Sequence, residues 1–566
     1  MANKSKRYSL NHSAYLKRIG TTLAEERFRN TSDGFWFALE RDVIVNPFDF
    51  VTVSNALGTI TVGMVKQLEA APGGFRSESA SNGRVGFANR QESVILASVA
   101  PMGNSGYEGE FARNVPVEMP VGAGRPVRFS SEQEVLFALG TPDMKNPIPV
   151  GAIEMANGLS IPISFDVSFL LGPDTTHVNA AGISGNNKTT YLLFLLQAAY
   201  QRLEETAVII FNTKEQDLLH IDDGGRVKTK DKLAFSMVGI DLEPFDDVTY
   251  MLPRGPDGRP NSAYLPKNSK TYSFELGDVY ESLDLLFLGN QSSPFHTPQL
   301  MSLASILNYI YESWPLEAQV SGGPPKKVRT WSDLSEFRGY PQEIAAHQFT
   351  LLRFFENLRR IRKSPLFVDR KKTSTYLGDE IRRIRNKQVY VIDIARIPSL
   401  DEQAFIVGDV MKCIDEIYSL KRAEGPDGRE KQGRKSRMRK TNAPKYVLIF
   451  IDEINRFVPR LPSGVKMAPA AEQIMKTVMT GGSRGTVLFS AQQFKSAVHQ
   501  GILENTGLHV CAKLGLQELE SSPAYSGLDE HMKLCVTRLN RGEMVLLHPA
   551  LRQPVRIVFP RTPLKL

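Results

Sequence analysis

The chain has 566 residues, 42% of them hydrophobic and 23% charged, a balance that excludes a disordered or low-complexity protein and, at roughly 150 residues per domain, predicts several domains. No apolar run reaches the roughly 18 residues that a membrane span needs, and the basic start MANKSKRYSLNHSAYLKRIG lacks the apolar core of a secretory signal; a soluble, cytoplasmic protein with no membrane partner is expected. The net charge of +8 and pI near 9.1 lean toward polyanions wherever the charge is concentrated.

From about residue 40 to 170 the chain reads as short β segments, VIVNPFDFVTVS, GTITVGMVKQLE, ESVILASVA, PVRFS and IPISFDVSFLL. Gly, Asn and Pro clusters separate them at the spacing of a small barrel or sandwich. At HVNAAGISG a strand runs into a glycine loop, TTYLLFLLQAAYQRLEET follows as an apolar helix, and AVIIFNTKEQDLLHI as the next buried strand; this is a βαβ unit. Helical pieces such as PQLMSLASILNYIYESW and HQFTLLRFFENLRRIRK then lie among Pro-rich loops. Buried strands return in KQVYVIDIAR, KYVLIFIDEINRF and GTVLFSAQQF, alternating with helical sequence. Alternation of this kind builds a parallel sheet covered on both faces. The expected class is therefore α/β: a small N-terminal β domain with a basic N-terminal arm (1–165), then an α/β domain built on a parallel sheet. That domain is divided into a first part (166–230), a mainly helical insertion (231–385) and a second part with a C-terminal extension (386–566).

Three motifs carry chemistry. Gly182, Gly185, Lys188 and Thr189 are spaced as in G-x-x-x-x-G-K-[ST], with Asn187 in place of the second glycine. Such a loop turns backbone N–H groups toward phosphates at a helix N-terminus. Gly182, Ser184, Gly185, Asn186, Asn187, Lys188, Thr189 and Thr190 form the expected ATP cradle, with Lys188 on the terminal phosphates and Thr189 on Mg²⁺. In YVLIFIDEINRF an apolar strand ends in two carboxylates at the sheet edge where ligands of open α/β sheets bind; Asp452 is expected to hold Mg²⁺, usually through water, and Glu453 to orient and polarise the attacking water. In VLFSAQQF, Gln492, or less readily Gln493, is read as a γ-phosphate sensor. Arg484 in GGSRG is read either as an arginine finger toward a neighbouring subunit or as an ordinary surface arginine, with Lys513 a second candidate. Lys421 to Lys445, and the zone from ENLRRIRK to EIRRIRNK, are basic stretches that suit either phosphate contact or a solvated face. Cys413, Cys511 and Cys535 have no metal spacing and are read as packing residues.

In these residues, and in the ordered series through ENTGLHVCAKL and RGEMVLL, the chain resembles the HerA branch of the HerA and FtsK translocase ATPases. The resemblance implies that residues 1–165 form an N-terminal β-barrel of the kind that branch carries and that the rest is a RecA-like P-loop ATPase domain, in a homo-hexameric ring with ATP at subunit interfaces and double-stranded DNA in the central channel. It further implies a separate nuclease or sirtuin-like NADase effector, in DNA end processing or antiphage defence. The alternative function is a nucleotide-binding scaffold ring that regulates its effector while hydrolysing slowly. Two departures bear on this choice. Asn187 replaces a glycine, and FNTKEQD replaces an Asp-Pro-His-Gly-Glu segment, which leaves the roles of Glu215 and Asp217 open.

Overall fold

The computed structural model describes residues 17–564 apart from 24–26, 56–57, 72–92, 106–113, 116–118, 141–143, 173–175, 225–228, 242, 289–296, 319–323, 346–347, 423–442, 463, 552 and 561–563. Most of the basic stretch Lys421–Lys445, and the N-terminal arm through residue 16, lie outside the described residues.

Strands β1 (Arg18–Thr22), β2 (Phe35–Leu39), β3 (Phe50–Ser54), β4 (Ile60–Ala71), β5 (Val94–Ser105) and β6 (Pro126–Phe129) are rich in apolar and β-branched residues; β2 and β6 alternate buried with more exposed positions, whereas β1, β3 and the start of β4 are buried on both faces. They pair antiparallel in the order β1-β2-β5-β4-β3-β6, and β6 returns to β1, closing the expected barrel. Phe35, Phe37, Val51, Val53, Val62 and Met64 are buried in it.

Twelve further strands build one sheet. They are β7 (Pro147–Glu154), β8 (Ser160–Asp166), β9 (Val178–Ala181), β10 (Thr206–Asn212), β11 (Val248–Pro253), β12 (Ser269–Tyr272), β13 (Val389–Asp393), β14 (Tyr446–Ile451), β15 (Thr486–Gln492), β16 (Leu508–Cys511), β17 (Glu543–Leu547) and β18 (Val555–Val558). Their order is β12-β11-β13-β10-β14-β15-β9-β16-β17-β18-β7-β8, parallel from β12 to β16 and antiparallel beyond. This is a barrel followed by a RecA-like α/β core, the class expected.

Two boundaries differ from expectation. The hairpin β7–β8 belongs to the large sheet, not to the barrel that was expected to run to residue 165; a short alternating strand reads the same whichever sheet receives it. Residues 231–385 are not only helical, because β11 and β12 extend the parallel sheet within them. The helices Thr297–Glu312 and α2 (Gln348–Lys363) form the helical part expected there. Phe354, Leu358 and Ile361 bury one face of α2 and Arg359, Arg360 and Arg362 stand on the other. Arg360 pairs with Asp401 and Arg382 with Glu416, so much of this basic zone is a solvated, partly neutralised face.

The apolar runs are continuous because both faces of the sheet are covered. In β10, Val208 and Ile210 pack on the side of α1 (Lys188–Arg202), while Ala207, Ile209 and Phe211 pack on the side of α3 (Leu400–Arg422) and α4 (Pro469–Arg484). Helix α1 is apolar from Tyr191 to Ala199 save for Gln197 and is buried throughout that span, with the Tyr191 hydroxyl donating to the Val150 carbonyl of β7 at 3.0 Å. Among the described residues no helix is long and apolar enough to cross a membrane.

His177, just before β9, ties α4 to the sheet. Its Nε2 donates to the Val478 carbonyl at 2.7 Å and its Nδ1 accepts from the Leu488 N–H at 2.9 Å. Burial pushes this imidazole down to about 4, the bond to Val478 opposing the shift. A histidine that takes up its proton only when unfolded contributes stability fully above pH 6.5 and loses it as pH falls toward 4, by about 3 kcal/mol. In urea unfolding, the stability gap between wild type and His177→Gln is expected to shrink by about that amount from pH 7 to pH 4. A gap independent of pH contradicts this assignment.

Candidate nucleotide site

Because β9, β10, β14, β15 and β16 run parallel, everything that follows their last residues gathers at one edge of the sheet. The glycine loop leaves β9 there. At Gly182 a Cβ would lie 2.7 Å from the Ala512 Cβ and 3.2 Å from the Lys513 carbonyl, so only glycine lets the loop pass the end of β16. Gly185, at φ 80°, makes the left-handed turn at the tip. The Lys188 ammonium is folded back on the loop, donating to the carbonyls of Gly182 at 2.7 Å and Ile183 at 3.3 Å. Burial holds it below the usual lysine value; Asp452 and Glu453 oppose the shift and Lys214 adds to it.

Asn187 occupies φ 58°, ψ 26°, left-handed geometry, and caps α1 without a side-chain hydrogen bond. Glycine reaches this conformation freely, asparagine at modest cost, and a β-branched residue only with roughly 1–2 kcal/mol of strain. Asn187→Gly is therefore expected to match or exceed wild type in stability and hydrolysis, and Asn187→Val to lose about 1–2 kcal/mol. Thermal unfolding and steady-state turnover check both; an unfolded Asn187→Gly protein would contradict the role given to this backbone turn.

Two chain segments far apart in sequence meet beside the loop. The Thr189 hydroxyl donates to Asp452 Oδ2 at 3.2 Å across 263 residues. Asp452 is buried, with its Oδ1 accepting from the Glu453 N–H at 3.1 Å. Glu453 itself is left-handed, at φ 57° and ψ 51°, which turns the chain sharply after β14. Lys214, just past β10, reaches both carboxylates, at 2.7 Å from Asp452 Oδ2 and 3.5 Å from Glu453 Oε1. Burial works against its charge, but Asp452 and Glu453 raise it above the ordinary lysine value. Thr189 and Asp452 offer hard oxygen ligands of the kind Mg²⁺ takes.

Gly182, Ser184, Gly185, Asn186, Asn187, Lys188, Thr189, Thr190, Asp452 and Glu453 thus lie at one edge. Gln492 is at the same strand end but is fully buried, and its amide exchanges two hydrogen bonds with Asn179 of β9, at 2.9 and 2.7 Å. It is not free to sense a phosphate. The half-buried Gln493 follows it beside the loop, its carbonyl accepting from the Gly182 N–H at 3.3 Å. Arg484 also departs from the finger reading. It ends α4 before β15 begins, hence at the opposite edge, with its guanidinium 3.2 Å from Asp415 of α3 and only 19% of its side chain exposed. Lys513 is at the loop through its carbonyl, which accepts from Ile183 N–H at 2.9 Å. Glu215 and Asp217 are exposed, Glu215 facing Arg396 at 3.5 Å.

Sequence reasoning missed two cations. Lys214 was signalled by its place just after a buried strand, which puts it at the same edge as Asp452. Arg541, between the helix Glu530–Thr537 and β17, carried no comparable signal; its guanidinium would lie 3.6 Å from a Cβ at Gly185. Cys413 and Cys511 are buried and Cys535 is half-buried, all as free thiols, and among the described residues no His, Cys, Asp and Glu group forms a metal cluster.

No protein-family model matches the chain, and no curated protein matches it. Among solved structures it is similar to VirB4 of Thermoanaerobacter pseudethanolicus, at 15% identity and TM-score 0.44 over 74% of this chain and 97% of that one. It is also similar to the bacterial conjugative coupling protein TrwBΔN70 in its unbound monoclinic form, at 13% identity and TM-score 0.38 over 68% and 86%. A shorter likeness, at 10% identity and TM-score 0.22 over 33% and 72%, is to the genome packaging NTPase B204 from Sulfolobus turreted icosahedral virus 2 in complex with ATP-γ-S. At these scores the likeness is loose, and the fold rests on the strand order and register described above.

Proposed function

We propose that the chain is a cytoplasmic ATPase subunit of a homo-hexameric ring that moves double-stranded DNA and serves a separate nuclease or NADase effector. The observation that carries the nucleotide part is the contact between Thr189 and Asp452, which brings the end of the glycine loop to the end of β14. A phosphate-binding loop and a strand-end carboxylate pair meeting in this way form the arrangement that phosphoryl transfer needs. When bound, Mg²⁺ supplies positive charge that draws electrons from the terminal phosphate; Thr189 and Asp452 are the residues that would hold it. Lys188 binds phosphate oxygens once it leaves its own loop carbonyls, the loop N–H groups orient them, and Glu453 takes the proton of the attacking water. The ring and the DNA rest on the family resemblance and on the basic charge of the chain.

A scaffold ring with slow hydrolysis is favoured by a different observation, the Lys214 ammonium lying on the metal-binding carboxylate. Hydrolysis measured with and without linear double-stranded DNA, on protein sized by light scattering, separates the two. Several-fold stimulation of a hexamer by DNA supports the motor. A ring that binds ATP but gains nothing from DNA supports the scaffold, and a monomer with full activity removes both.

A further inference from the structure

Asp452 Oδ2 is approached from two sides, by the Thr189 hydroxyl at 3.2 Å and by the Lys214 ammonium at 2.7 Å, and the same ammonium lies 3.5 Å from Glu453. A hydroxyl and a buried carboxylate are the oxygens a divalent cation would take, and the Lys214 ammonium already stands against them. Lys214 lies beyond the end of β10, not within it, and its side chain is 46% exposed. A flexible four-carbon stem at a wet edge can swing out without disturbing the sheet. An ammonium and a divalent cation drawn to the same carboxylate oxygen repel each other, so each weakens the other's hold on it.

We infer that Lys214 is the site's own counter-ion: it competes with a divalent cation for Asp452, so that the cation alone binds weakly and binds more readily together with nucleotide. The carboxylates then stay paired between turnovers, and metal and nucleotide become coupled ligands. The inference deepens the nucleotide-site reading and rests on it only for the assignment of Asp452 as a metal ligand.

The test uses Mn²⁺ alone, without nucleotide, followed by the loss of its free electron-spin signal on the full-length protein. If Lys214 occupies the site in most molecules, the metal's apparent affinity is reduced by the free fraction, so Lys214→Met is expected to bind Mn²⁺ about tenfold tighter than wild type. Lys214→Arg, which keeps the charge, is expected to stay near wild type, and Asp452→Asn in the Lys214→Met background to lose the gain. Equal Mn²⁺ affinity in wild type and Lys214→Met, or weaker binding in the variant, overturns the inference. Should the Met variant fail to fold, Lys214→Gln is read in the same way. The two readings fail separately. A wild type that binds no ATP while Lys214→Met gains Mn²⁺ sinks the proposed function alone, and a wild type that binds ATP while the variant gains nothing sinks this inference alone.

Discussion

The Glu453→Gln protein is expected to bind ATP and Mg²⁺ as wild type does and to hydrolyse ATP about 10²–10⁴-fold more slowly, the range that a positioned general base contributes. Glutamine keeps the size of the side chain and its contacts but cannot accept the proton of the attacking water. The backbone sharpens the argument. Glu453 holds φ 57° directly after the buried strand, a conformation that costs a non-glycine residue about 1–2 kcal/mol. Strain kept at a ligand-binding edge is better explained by the side chain's task than by the fold. Glu453→Gly is therefore expected to be as inactive as Glu453→Gln yet no less stable than wild type, and more stable by up to about 1 kcal/mol if relief of strain prevails over lost side-chain contacts. Turnover of Glu453→Gln at the normal rate would remove Glu453 from the mechanism.

The central elements were legible because of how the sheet is buried. Strands covered on both faces must be apolar throughout, so YVLIFI and AVIIF stand out from the chain, and the residues after them must lie at one edge when the strands are parallel. The same logic, carried one step further, would have placed Arg484 correctly. It precedes a parallel strand, and so belongs at the edge away from the loop. Gln492 was misread for a different reason. A polar residue at a strand end reads as facing ligand, but Ser490 and Gln492 share a face with Asn179, and the three amide and hydroxyl groups satisfy one another in the interior. The polar Asn179 within HVNAA was the available signal. Strand β8 was grouped with the barrel because its alternation fixes which face is buried and says nothing about its partner, and β7, buried almost throughout, carried no alternation to read. Lys214 depended on a distance between loops of different strands, which no local pattern encodes.

Lys188→Ala is expected to weaken ATP binding roughly 10–100-fold, the equivalent of one or two charged hydrogen bonds. The structure adds a second consequence. The Lys188 ammonium donates to the carbonyls of Gly182 and Ile183, and Gly182 is buried against Ala512. Removing the donor leaves a buried carbonyl short of a partner, so the variant is also expected to lose about 1–3 kcal/mol of stability. Lys188→Arg separates charge from fit. Its planar fork cannot sit between two carbonyls of one tight turn as a compact ammonium does, so it is expected to bind ATP nearly as poorly as the alanine variant despite keeping its charge. Calorimetric titration with ATP, beside thermal unfolding without ligand, reads both effects. Wild-type ATP affinity in Lys188→Ala would show that the loop does not hold phosphate through this lysine, whereas lost affinity with unchanged stability would show that the carbonyl contacts contribute nothing to the empty loop.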